Sequence, residues 1–133
     1  MKFSLETVAD KNYIQSYGHD HIVISSKNQP ESIQLNGFLI LSPDQIVTDR
    51  QVQSSALNKS DIFLLKSLSP ELLIFVSDSS TISSLSSEIV VAFNRDAIGV
   101  ETMALGSACR TYNLLVAEGR RVVLVLNCET TQV

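Results

Sequence analysis

Residues 99–126 read Gly99-Val100-Glu101-Thr102-Met103-Ala104-Leu105-Gly106-Ser107-Ala108-Cys109-Arg110-Thr111-Tyr112-Asn113-Leu114-Leu115-Val116-Ala117-Glu118-Gly119-Arg120-Arg121-Val122-Val123-Leu124-Val125-Leu126. Val100 to Met103 form a short strand candidate. From Leu105 to Glu118 apolar residues return at helical spacing, and Gly119 supplies a left-handed stop. Arg121 to Leu126 is then a nearly continuous apolar run of strand length, which suits a strand covered on both faces. Strand, helix and strand in this order predict α/β layering.

Outward toward the N-terminus, Leu72-Leu73-Ile74-Phe75-Val76 is a second such run. Ile82, Leu85, Ile89 and Ala92-Phe93 recur at helical spacing until Gly99 breaks the pattern. Seven of the eleven residues from Ser77 to Ser87 are serine; Ser77 to Ser80 read as turn and cap, the rest as a solvated helix face. Ser60-Asp61 is placed to cap a short helix carrying Ile62, Leu65 and Leu68, which Ser69-Pro70 ends. The first half is built of shorter pieces. His21 to Ser25 and Ile33-Gln34-Leu35 have strand composition and polar flanks. Asn36-Gly37 reads as a hairpin turn into Phe38-Leu39-Ile40-Leu41, and Ser42-Pro43-Asp44 closes that strand. The expected architecture is α/β, β-rich in the N-terminal half and with helices in the C-terminal half.

The chain has 133 residues, the length of one domain spanning 1–133, and 44% of them are hydrophobic, which excludes disorder. Ten basic against fourteen acidic residues give 10 − 14 = −4, a balance that argues against a nucleic-acid binder. No apolar run approaches the ~18–20 residues that a membrane helix needs. The opening Met1-Lys2-Phe3-Ser4-Leu5-Glu6 has neither the apolar core of a secretory signal nor the arginines of a transit peptide, so a cytoplasmic protein is expected. Cys109 and Cys128 make no disulfide framework and read as small, reduced, buried residues.

At ~100° per residue, Leu105, Cys109, Tyr112 and Val116 share one stripe, flanked by Ala108 and Leu115. Arg110, Asn113 and Ala117 lie with Gly106 on a second face, and Ser107, Thr111, Leu114 and Glu118 form a third row. Arg110, Thr111, Asn113 and Glu118 are therefore expected to be displayed. Gly106, Ser107 and Arg110 stand at a helix N-terminus just after a strand, where free N–H groups, the helix dipole and a guanidinium favour an anion. The turn from Ser77 to Ser80 is expected at the same sheet edge. Against an anion stand the negative charges of Asp78 and Glu101, and the simpler alternative pairs Arg110 with Glu118 or Glu101. A helix N-terminus lowers a thiol's pKa, which offers Cys109 as a nucleophile, but its place on the apolar stripe reads as packing. His19-Asp20-His21 on a strand would put two imidazoles on one face at metal-ligand spacing, but no third ligand is apparent, and solvent-facing imidazoles are the simpler reading. No Gly-x-Ser-x-Gly elbow, phosphate loop or dinucleotide glycine motif is present, so no catalytic residue, metal or cofactor is assigned.

The Gly99-to-Met103 block, Ala108-Cys109-Arg110-Thr111-Tyr112-Asn113-Leu114-Leu115 and Glu118-Gly119-Arg120 together resemble the family of the mitochondrial respiratory complex I assembly factor 3 and its small bacterial and archaeal relatives. Tyr17-Gly18 before His21-Ile22-Val23, and Ser42-Pro43 after Phe38 to Leu41, are similar to that family's first half. The resemblance runs from Ile14 to Leu126. It implies a three-layer α/β fold around a central mixed sheet, one compact domain, and no established reaction, metal or cofactor. The mitochondrial member assists assembly of complex I by protein contacts. One departure is Val76-Ser77-Asp78, where the family often has a Gly-Thr-Gly-like turn. Two functions are expected. One is a protein-interaction or assembly-factor-like module with an unidentified protein partner, its candidate binding residues being Gly106, Ser107, Arg110, Thr111, Asn113 and Glu118. The other is a small anionic-ligand-binding protein or enzyme with its site at the sheet edge near Gly106, Ser107 and Arg110. Self-association is left open.

Overall fold

The apolar runs become the inner strands of a mixed sheet. The computed structural model describes residues 11–18, 20–26, 30–50, 52, 57–77 and 86–128. Its elements in chain order are β1 (Tyr13–Gly18), β2 (His21–Ser25), β3 (Ile33–Leu35), β4 (Gly37–Leu41), β5 (Ile46–Val47), α1 (Lys59–Ser67), β6 (Leu72–Ser77), α2 (Ser87–Asn94), β7 (Gly99–Ala104), α3 (Leu105–Ala117) and β8 (Val122–Cys128). Five strands form the central sheet in the order β5-β4-β8-β6-β7, and three form a second sheet, β1-β2-β3. β6 runs parallel to β7 and β8, whereas β4 is antiparallel to β8 and β5. The central sheet is therefore mixed.

Period-two alternation divides the apolar side chains between two cores. Leu73 and Phe75 of β6, Val123 and Val125 of β8 and Ile40 of β4 face the helices α1 and α2, where they meet Leu65 and Phe93. Ile74, Leu124, Leu126, Leu39 and Leu41 face the other way, toward α3 and toward Ile14, Ile22 and Ile24 of the small sheet. The layers are α1 and α2, then the five-stranded sheet, then α3 beside the three-stranded sheet. Continuous apolar runs such as Leu72 to Val76 are what a strand covered on both faces requires.

Three details differ from the sequence reading. Asn36-Gly37 is not a hairpin turn: β3 pairs with β2, and β4 pairs with β8 and β5, so the chain passes there from one sheet to the other. Phe38 to Leu41 needs cover on both faces and finds it beside β8, while the half-exposed Ile33-Gln34-Leu35 sits at the edge of the small sheet. The cap of α1 is Asn58 rather than Ser60. Asn58 Oδ1 accepts from the Asp61 N–H (2.8 Å) and Asp61 Oδ2 accepts from the Asn58 N–H (3.2 Å), a reciprocal capping box. The third is β1, which, like the two-residue β5, no local pattern announces.

Ser86 caps α2, its Oγ accepting from the Ile89 N–H at 3.3 Å. Of the expected Ser77-to-Ser80 turn, Ser77 ends β6 beside Ala104 of β7, and residues 78–85 lie outside the described residues. Helix α3 ends as read. Gly119 takes φ +81°, its N–H bonds the Val116 carbonyl at 3.0 Å and the Arg120 N–H bonds that of Leu115 at 2.9 Å. This is the paired bonding of a Schellman stop, in which glycine relieves the left-handed penalty.

Candidate functional site

Helix α3 leaves β7 without a loop, because Ala104 is both the last strand residue and the helix N-cap. Its inner side buries Ala108, Cys109, Tyr112, Asn113 and Val116. Asn113, expected on a displayed face, is 1% exposed. The reason is a hydrogen-bonding one. Its Nδ2 donates to the Ile14 carbonyl at 2.8 Å and its Oδ1 accepts from the Ile14 N–H at 2.9 Å, so the side-chain amide pairs with β1 as a neighbouring strand would. Tyr112 Oη donates to the Asn12 carbonyl at 3.0 Å. Asn12 in turn donates from its N–H to the Pro43 carbonyl (2.9 Å) and from Nδ2 to the Ser42 carbonyl (3.0 Å). Half of the Arg-Thr-Tyr-Asn motif is thus a clasp that closes the edge of β1, and among the described residues no buried side-chain polar atom lacks a partner.

The outer side of α3 is a narrow wedge. Ser107, Arg110, Leu114 and Glu118 are exposed, Thr111 and Ala117 are half-buried on its flanks, and Leu114 keeps 50% of its surface. Arg110 does not pair with Glu118 or Glu101, and among the described residues no ion pair involves it. Instead its Nη1 donates to Tyr17 Oη at 3.3 Å. Gly106 lies under that contact. A Cβ there would stand 3.0 Å from Tyr17 Oη and 3.2 Å from Arg110 Nη1, so a side chain at this position presses on both. Gly106 and Arg110 are therefore brought together at the helix start with Tyr17, which was not among the candidate residues; its only signal was the Tyr17-Gly18 pair in the family resemblance. Ser107 is one residue further along the first turn. Glu118, at the far end of α3, is not part of this corner.

The thiols are packing groups. Burial, with the neighbouring Cys128 adding to it, pushes Cys109 up to about 12, and burial with Asp20 nearby pushes Cys128 up to about 11. Both stay protonated near neutrality, where a nucleophile or metal ligand needs a thiolate. Burial also drives Tyr112 well above its ordinary value. At the β1–β2 turn, His21 Nδ1 lies 2.8 Å from Asp20 Oδ1. Strand β2 begins at His21, and His19 lies outside the described residues. Among the described residues, no three of His, Cys, Asp and Glu gather where they could share an ion. A shallow hollow of about 350 Å³ lies beside α2, lined by Ser87, Glu88, Val91, Ala92 and Arg95, across the central sheet from α3.

Fold and site together define a three-layer α/β protein with a helix clasped to a small second sheet. The chain belongs to the family of proteins of unknown function DUF498/DUF598, whose model matches residues 14–127. A protein from Bordetella parapertussis has a similar crystal structure at 28% identity and a TM-score of 0.71, the match covering 88% of this chain and 95% of that one. A Bordetella pertussis protein described as a Mth938-like domain matches at 20% identity and a TM-score of 0.70, over 100% of this chain and 96% of its own. A Bartonella henselae protein called an outer membrane protein matches at 23% identity and 0.68, over 92% and 98%. These likenesses establish a Mth938-like fold. No curated protein matches the chain. Among the described residues, no helix is long and apolar enough to cross a membrane.

Proposed function

We propose that this chain is a protein-interaction unit: one compact cytoplasmic domain that holds a partner protein, as the complex I assembly factor it resembles does. The observation that carries this reading is the outer side of α3. Leu114 is half exposed between the exposed Arg110 and Glu118, on a helix whose other side is fully committed to the core. An apolar side chain bounded by both signs of charge has the composition of a recognition surface with a polar rim. Ser107 and Thr111 continue that surface with hydroxyl groups, and Gly106 keeps the Arg110–Tyr17 contact close to the helix. The Mth938-like fold is consistent with that likeness and names no partner.

Affinity capture from a cell extract tests the reading, with wild type compared against Arg110→Ala/Leu114→Ala. Asn113 is left intact, because its loss would release β1 and test folding instead. Wild type is expected to retain a stoichiometric partner and the folded double variant to lose it. Equal capture by both removes this surface from the account, and so does capture by neither when the wild-type chain is also monomeric.

A small anion at the sheet edge is the second reading, and one observation favours it. Ala104 caps α3 without a side-chain acceptor, which leaves first-turn N–H groups available beside Arg110. Inorganic phosphate should then raise the melting temperature of wild type and not of Arg110→Ala. An equal rise in both would sink the idea.

A further inference from the structure

The outer ridge of α3 is complementary to itself. Arg110 precedes Leu114 by four residues and Glu118 follows it by four, so cation, apolar side chain and anion lie along one exposed i, i+4 row. Eight residues of α-helix rise by ~12 Å, which keeps Arg110 and Glu118 of one chain from meeting. Among the described residues, neither forms an ion pair. In an identical helix turned antiparallel about a two-fold axis through Leu114, each Arg110 stands opposite Glu118 of the copy and the two Leu114 side chains meet at the centre. Thr111 and Ala117, three residues before and after Leu114, lie on the two flanks of that row, and each flank meets the same flank of the copy. Both are small enough to let the helix axes approach to the ~8–10 Å of packed helices.

From this arrangement we propose that the partner seated on the ridge of α3 is a second copy of this chain, paired helix to helix in an isologous dimer. This deepens the interaction reading and rests on it. A partner of another kind would have to supply an acid, an apolar group and a base in matching order; a second copy supplies them by symmetry. One helix per subunit makes a small interface, so association belongs at the weak end, with a dissociation constant of ~1 µM to ~1 mM.

The test is sedimentation of the full chain across that concentration range, with Arg110→Glu, Glu118→Arg and the double swap R110E/E118R beside wild type. Melting curves check that each variant folds. Each single reversal puts two like-charge pairs into the dimer and should weaken it by about tenfold. The double swap restores both pairs in mirror order and should return the association to near the wild-type value. Restoration is particular to self-pairing, since a different partner would meet both of its charges reversed. A monomeric wild type overturns self-pairing, and so does a dimer that ignores the single reversals or is not rescued by the swap. If that monomer still captures a second protein through Arg110 and Leu114, the interaction reading survives the failure; if it captures nothing, both fall.

Discussion

The two faces of the central sheet are covered by different physics. On one face α1 and α2 settle by apolar contact, Leu65 and Phe93 against Leu73, Phe75 and Val125, and their polar ties sit at the helix ends. Those ties include the Asn58–Asp61 capping box, whose buried Asp61 also lies 3.5 Å from Arg50 Nη2, and the Ser86 cap of α2. They also include the Lys66–Asp96 ion pair at 2.6 Å, in which Lys66 also lies 5.9 Å from the centre of the Phe93 ring. On the other face polar groups go into the core. Tyr112 and Asn113 bond the backbone of Asn12 and Ile14, fixing one position of β1 against α3. Apolar contact is non-directional and tolerates small shifts, whereas a buried side-chain-to-backbone pair is either made or expensively broken. The helix that carries the clasp is thereby held still, and its outer ridge is presented on a rigid support.

The largest expected effect is on the clasp. Asn113→Ala leaves the buried N–H and carbonyl of Ile14 without their partner and should cost about 3 kcal/mol in urea unfolding. Gly119→Val puts a β-branched side chain at φ +81° and should cost about 1–2 kcal/mol, read from the same transition. On the opposite face, Asn58→Ala removes one half of a capping box and should cost about 1 kcal/mol. Lys66→Ala removes a partly exposed ion pair and should shift the midpoint by no more than about 0.5 kcal/mol. An Asn113→Ala variant as stable as Lys66→Ala would erase the contrast between the faces.

Alkali sharpens the same contrast, since both thiols belong to the α3 side. Folding raises the Cys109 thiol from about 9 to about 12 and the Cys128 thiol from about 9 to about 11. Above pH 9 the unfolded chain therefore releases protons that the folded chain keeps. The stability these thiols contribute is complete below about pH 9 and falls as pH rises toward 12. Urea midpoints should decline over that window, and less steeply in Cys109→Ala. Alkylation of Cys109 in the folded protein at neutral pH should be slow and should become fast on unfolding; fast labelling of the native state would contradict its burial.

Much of this was legible in the chain. Leu72 to Val76 and Arg121 to Leu126 announced central strands because burial on both faces requires nearly unbroken apolar runs. The helix from Leu105 to its Gly119 stop followed from spacing and one glycine. The pairing of β4 with β8 was not legible, because Asn36-Gly37 is a strong local turn signal and its competitor, Gly37 to Leu41 against Leu124 to Cys128, lies far along the chain. Asn113 is buried for a related reason. A polar residue on a helix looks solvent-facing until its partner is known, and that partner, Ile14, is 99 residues away. Tyr17 belongs with it, since its contact with Arg110 spans 93 residues.

The division of α3 into a clasping side and a presenting side is tested most directly by one pair of unfolding curves. Asn113→Ala is compared with the triple variant Arg110→Ala/Leu114→Ala/Glu118→Ala by equilibrium urea denaturation at low protein concentration. The predicted result is a loss of about 3 kcal/mol for Asn113→Ala and under about 1 kcal/mol for the triple variant, whose three positions are exposed. A triple variant that loses as much as Asn113→Ala would mean that the ridge is part of the fold's support, and the division would be wrong.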